Sequence, residues 1–184
     1  MNFKTVEEVT CWRNFTLDGK EYDLSHLNAH RVEYLDERDK TRPTTYRFIV
    51  TYGLHCFTKN VGEISKEQER LLMYHAPRES RSFNLERYEL SKHLPTIIKS
   101  LGNKETLVCH AGYGKYAVVK VLNSRGCEVN YFVPFAVFRE SKRLRLHVRS
   151  AYPRHEGLGK VKKVGFFVIA KNLLQNKNLP RPQK

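Results

Sequence analysis

Apolar and polar positions alternate with a period of two along several stretches of this chain, and strands are expected wherever they do. In FRESKRLRLHVRSAYPR, which starts at Phe138, the residues Leu144, Leu146 and Val148 share one face. Arg143, Arg145, His147 and Arg149 share the other. Upstream, TTYRFIVTYGLHCFT is rich in β-branched and aromatic residues and predicts a long strand. One of its faces holds Tyr46, Phe48, Val50, Tyr52, Leu54 and Cys56, the other Arg47, Thr51 and His55. Thr106–Ala111, Lys115–Leu122, Glu128–Phe138 and Arg143–Ala151 read as further strands. The turn-rich GYG, NSRGC and RESKR between them are short, which favours antiparallel neighbours and a meander.

Helical spacing is clearest in Phe83–Leu101, where Tyr88, Leu94, Ile97, Ile98 and Leu101 lie near one stripe. Pro95 interrupts it, so the pattern predicts a helix that begins near Ser91 or one kinked at the proline. Residues 63–74 predict a helical turn or two, and Val164–Asn176 a closing helix or strand. HEGLGKVKK, after Pro153, reads as a flexible basic loop and LPRPQK as a frayed tail. The fold class expected is α+β: one domain with an antiparallel sheet of about four to six strands, packed with one or two helices. Residues 1–43 read as an acidic N-terminal elaboration and residues 44–184 as a basic core domain with a short flexible C-terminal tail.

Charge sharpens this picture. The chain carries a net charge of +14. Residues 1–40 hold six Lys/Arg against nine Asp/Glu, residues 41–138 fourteen against eight, and residues 139–184 thirteen against two. A gradient from an acidic start to a strongly basic end concentrates positive field and points to a polyanionic partner. RNA ranks first and DNA second, with an acidic protein as the alternative. No apolar run reaches the roughly 18 residues a membrane span needs, and MNFKTVEEVTCW lacks the basic start and apolar core of a signal peptide. A cytoplasmic protein is expected. Cys11, Cys56, Cys109 and Cys127 are widely spaced and form no CxxC, so they read as buried thiols and no metal is expected. No cofactor motif is present: AGYGK is neither GxGxxG nor a P-loop, and HExxH and GxSxG are absent.

Three clusters carry candidate chemistry. The basic strand offers Arg143, Arg145, His147 and Arg149, followed by Ser150, Tyr152 and Arg154. Metal-independent RNA cleavage needs a base, an acid and cations for the phosphorane, roles open to His, Tyr and Arg. His147, His55, Arg149 and Tyr152 are the catalytic candidates. His55 forms the second cluster with Thr58 and Lys59, at the end of the long strand. The third lies in RESRSFNLERYELSKH, where Arg81, Arg87 and Ser91 are placed to clamp phosphate. Lys160, Lys162 and Lys163 extend the basic surface.

The order of a helix, an antiparallel meander and a basic final strand ending in RSAY resembles bacterial ribonuclease toxins of the RelE, barnase and colicin type, over roughly Phe83–Pro153. The resemblance implies a small metal-independent endoribonuclease, with an antitoxin as possible partner. Its active residues would lie on the sheet face, at Arg81, Arg87, His147, Arg149, Ser150 and Tyr152. The alternative expectation is a non-enzymatic nucleic-acid-binding accessory factor of a mobile element or phage, or a basic adaptor for an acidic protein.

Overall fold

A computed structural model describes residues 9–60, 62, 65–112, 115–124, 127–154 and 160–181. The chain opens with a hairpin, β1 (Phe15–Leu17) and β2 (Lys20–Tyr22). Its two-residue turn puts Asp18 at φ 50° and Gly19 at φ 73°, the left-handed pair that a tight hairpin of this kind requires. β3 (His30–Asp36) and β4 (Thr44–His55) follow, then a small sheet made by β5 (Thr58–Lys59), β6 (Met73–His75) and β7 (Ser80–Phe83). α1 (Lys66–Leu72) lies before β6, with Ser65 and Gln68 forming a capping box.

The predicted helix around Pro95 is two helices, α2 (Leu85–Ser91) and α3 (Leu94–Lys99). Pro95 sits in the first turn of α3, where its missing N–H has no helical partner to lose. The meander is present as β8 (Val108–His110), β9 (Lys115–Ser124), β10 (Cys127–Glu140) and β11 (Arg143–Ser150). A short β12 (Tyr152–Arg154) returns onto β10, and the closing element is helical, α4 (Phe166–Leu174). Residues 155–159 of the expected basic loop and 182–184 of the tail lie outside the described residues.

The class is α+β, as the sequence predicts. The main sheet has seven strands, ordered β3-β4-β11-β10-β9-β8 with β12 beside β10. Its pairs are antiparallel except one: β11 lies parallel to β4, with Leu144 opposite Phe48 and Val148 opposite Tyr52. The core collects Phe48, Val50, Tyr52, Leu146, Val148 and Phe135 on one side of the sheet, packed against helices. Residues before position 43 join this core. β3 pairs with β4 along its length, Tyr34 donates to the carbonyl of Ile98 at 2.7 Å, and Phe15 stacks on Phe83 at 4.3 Å. Cys56 and Cys109 are buried as expected; Cys11 is exposed.

The parallel pairing has a consequence for the basic strand. β11 is a central strand, flanked on both sides by long neighbours, so the middle of its polar face is covered. Arg145 is 1 % exposed and His147 9 %; only Arg143 and Arg149, towards the two ends, are exposed.

Candidate nucleic-acid interface

Where β4 and β11 end side by side, the chain brings several basic and aromatic groups together. Ser150 stands opposite His55 after a shift of register between Val148 and Ser150. Gly53 makes that shift possible: a Cβ there would lie 2.8 Å from the Arg149 carbonyl oxygen and 3.3 Å from that of Val148. The side chain of Ser150 donates to the His55 carbonyl at 3.4 Å.

The same carbonyl receives Arg87. Its Nη1 donates to the His55 oxygen at 3.2 Å and to the Thr58 oxygen at 2.7 Å. Arg87 stands in the first turn of α2 because Asn84 caps that helix, accepting from the Arg87 backbone N–H at 3.0 Å. Asn84 is itself tied to the Phe57 carbonyl at 3.0 Å. Burial, then the neighbouring Arg81 charge, holds the Arg87 guanidinium below the ordinary arginine pKa. Arg81 arrives from β7 and donates its Nε to Thr58 Oγ1 at 3.3 Å.

Two aromatic rings complete the cluster. Tyr152 on β12 and Phe132 on β10 are register partners, with ring centroids 5.7 Å apart. Each has a guanidinium over it: Arg87 lies 5.6 Å from the Tyr152 centroid and Arg154 lies 5.5 Å from that of Phe132. The order Arg87, Tyr152, Phe132, Arg154 is therefore a ladder of cation, ring, ring and cation. Stacking on a ring restrains each guanidinium, and Arg87 is fixed further by its bonds to the two carbonyls. His55 Nε2 meets Glu79 Oε1 at 3.1 Å, and Arg81 Nη1 stands 3.9 Å from Glu79 Oε2.

The residues singled out from the sequence thus divide. His55, Arg81, Arg87, Ser150, Tyr152 and Arg154 converge, with exposed Arg149 next in the chain. Arg145 does not join them. It is bound to Glu140 at 2.6 Å, its guanidinium lies 5.4 Å from the Phe138 centroid, and burial lowers its pKa to about 10. His147 does not join them either. Its Nδ1 lies 3.0 Å from Thr51 Oγ1, and burial, with the charges of Arg149 and Arg145, lowers its pKa to about 4. The structure places His147 in the interior, where a covered imidazole with a lowered pKa is poorly placed to shuttle protons near neutral pH.

Ser91 is also interior. It is 0 % exposed, donates to the Tyr88 carbonyl at 2.7 Å and accepts from His26 Nε2 at 2.8 Å. Arg143 is at the opposite end of β11 from Ser150. Lys160, Lys162 and Lys163 are exposed but run along the far edge of the sheet, where the Lys162 carbonyl accepts from the His110 N–H at 2.9 Å. Phe132 and Glu79 were not singled out. Phe132 was open to discovery by parity: if Tyr131, Val133 and Phe135 face the core, Phe132 faces away from it. Glu79, an acid inside a basic loop, carries no such signal.

The fold and cluster define an α+β protein with an arginine–aromatic ladder at one end of its central strands. The chain belongs to the YjaZ family, whose match spans residues 14–174. Protein YjaZ of Escherichia coli (strain K12) is 51 % identical over 180 residues, covering 97 % of this chain and 99 % of that protein. No solved structure matches the chain. This membership overturns the resemblance to RelE, barnase and colicin-type ribonucleases. An order of elements around one basic strand is a pattern many α+β proteins share. Here the strand in question proves to be a covered central one, paired in parallel with β4.

Proposed function

We propose that this protein is a single-stranded nucleic-acid-binding protein of the cytoplasm, directed first to RNA, and that the arginine–aromatic ladder is its contact surface. The observation that carries the reading is the pairing of Phe132 with Tyr152 under Arg154 and Arg87. Unpaired bases expose π-faces that stack on aromatic rings and on guanidinium planes, while phosphates take the guanidinium N–H groups. Two rings in register, framed by cations, provide both kinds of contact within one short stretch. Arg81 and Arg149 lengthen the cationic track. No helix among the described residues is long and apolar enough to cross a membrane.

The binding reading is preferred to a catalytic one because the two histidines are differently placed. His147 is covered, and burial lowers its pKa; the His55 ring is held by Glu79, and no second imidazole meets it among the described residues. Titration of labelled single-stranded RNA and matching DNA by fluorescence anisotropy, across a salt series, tests the proposal. Release of counterions by the four arginines Arg81, Arg87, Arg149 and Arg154 predicts a slope of log affinity against log salt of about −3 for a single strand. Replacing Phe132 and Tyr152 together by Ala should weaken binding about 10- to 100-fold, since each stacked base contributes about 1–3 kcal/mol. A double variant that binds like the parent protein refutes the proposal.

A further inference from the structure

At the end of the sheet away from the ladder lies an open cavity of about 920 Å³. That volume falls within the roughly 300–1,000 Å³ of sites that take a small molecule. Leu35 of β3, which lines the cavity, pairs with Thr45 at the start of β4. Thr45 and His55 are ten residues apart on β4, which sets about 30 Å between cavity and ladder. The N-terminus of α4 stands between the cavity walls. On one side the Val164 N–H donates to the Val108 carbonyl at 3.0 Å. On the other the Phe167 ring lies against Gly102, where an added Cβ would meet its Cζ at 3.1 Å. Arg38 lies 5.3 Å from the centroid of the same ring.

The lining has two characters. Leu35, Leu107, Val108, Val164 and Phe167 make part of it apolar. Leu35 is 54 % exposed, apolar surface whose removal from water by a ligand would favour binding. The polar part combines exposed Lys40, Lys104 and Lys163 with two exposed acids, Glu37 and Glu105. Arg38 is clamped to Asp36 by two bonds of 2.8 Å and adds no net charge. The balance is tipped further by α4: Gly165 supplies no side-chain cap and the first turn holds no acid. Gly165, Phe166 and Phe167 all line the cavity, so the partial positive charge of that helix end is delivered there. We infer that the cavity is a binding site for a small anionic amphiphile, a carboxylate on an unbranched apolar chain. The chain lies along Leu35, Leu107 and Phe167, and the head group takes Lys163, Lys104 and the first N–H groups of α4. This site and the ladder are separate, and either can stand without the other.

Isothermal titration calorimetry of the full chain with decanoate, at neutral pH and below its micelle concentration, tests the inference. One saturable site per chain is expected. Each methylene removed between decanoate and hexanoate should weaken binding about two- to fourfold, as a buried apolar chain is shortened. Decylammonium has the same body and the opposite charge, and should bind at least about tenfold more weakly. Lys104→Gln combined with Lys163→Gln should weaken decanoate binding about tenfold. Leu35→Asn should weaken it about three- to tenfold. All three side chains are exposed, so the variants should keep the parent Tm. No saturable binding, indifference to chain length, equal binding of decylammonium, or folded variants that bind like the parent overturns the inference. Binding to phosphatidylglycerol vesicles alone, with none to monomeric decanoate, overturns it as well and makes the cavity a membrane contact.

Discussion

Replacing Gly53 by Ala should damage both the sheet and the interface, and the expected size follows from the geometry. The added Cβ would stand 2.8 Å from the Arg149 carbonyl oxygen, whereas ordinary contact begins near 3.4 Å. Both obstructing atoms are backbone, so no side-chain rotation relieves the overlap. The strands must part by about 0.6 Å, enough to forfeit a quarter to a half of the attraction of each contact across the gap. Overpacking of this kind costs about 2 kcal/mol, which for a chain of this length lowers Tm by about 4–8 °C. The same separation draws Ser150 away from the His55 carbonyl, to which Arg87 is also bound, so oligonucleotide affinity should fall with stability. Gly62 is the matched control, because a Cβ there meets nothing within 4 Å. Urea and thermal unfolding of Gly53→Ala and Gly62→Ala, side by side, decide the matter. Equal stability of the two variants would refute the role assigned to the close approach at Gly53.

Other expectations concern the groups the fold has taken inside. Because the pKa of His147 is lowered to about 4, the unfolded chain takes up its proton first as pH falls. The parent protein should therefore lose about 3 kcal/mol between about pH 6.5 and pH 4 from this residue. His147→Gln should flatten that part of the stability profile, and an unchanged profile would count against the assignment. Glu140→Gln strips the carboxylate from the covered Arg145 and should cost about 3 kcal/mol in urea unfolding; a loss below about 0.5 kcal/mol would mean the arginine is adequately hydrated. Ser91→Ala should cost about 1 kcal/mol by stranding His26 Nε2, yet leave oligonucleotide affinity untouched. A drop in affinity there would return Ser91 to the interface.

What the sequence conveys, and what it withholds, differ by the range of the interaction. The alternation in Leu144–Val148 assigns the core face correctly, as does that in Tyr46–Leu54, because each depends only on neighbours two residues away. The position of β11 within the sheet depends on its parallel pairing with β4, about a hundred residues earlier, and no local pattern records it. Arg145 and His147 therefore read as surface groups until the neighbouring strands are in place. The interface shows the same division. His55, Arg81, Arg87, Ser150, Tyr152 and Arg154 each look chemically suitable in isolation, but their meeting depends on the Gly53 register shift and on β12 turning back to β10. Pro95 was ambiguous for a different reason. A helix start and a helix kink place the same demands on the residues around a proline, and only the packing of two short helices distinguishes them.

Ultraviolet crosslinking of a saturating single-stranded RNA to the parent protein, with adducts located by mass spectrometry, tests the central claim most directly. Bases stacked on the ladder should leave nucleotide adducts on Tyr152 and Phe132, and matching DNA should label the same residues more weakly. Adducts confined to the Lys160–Lys163 edge, with none on either ring, would contradict the account and move the interface to the other side of the sheet.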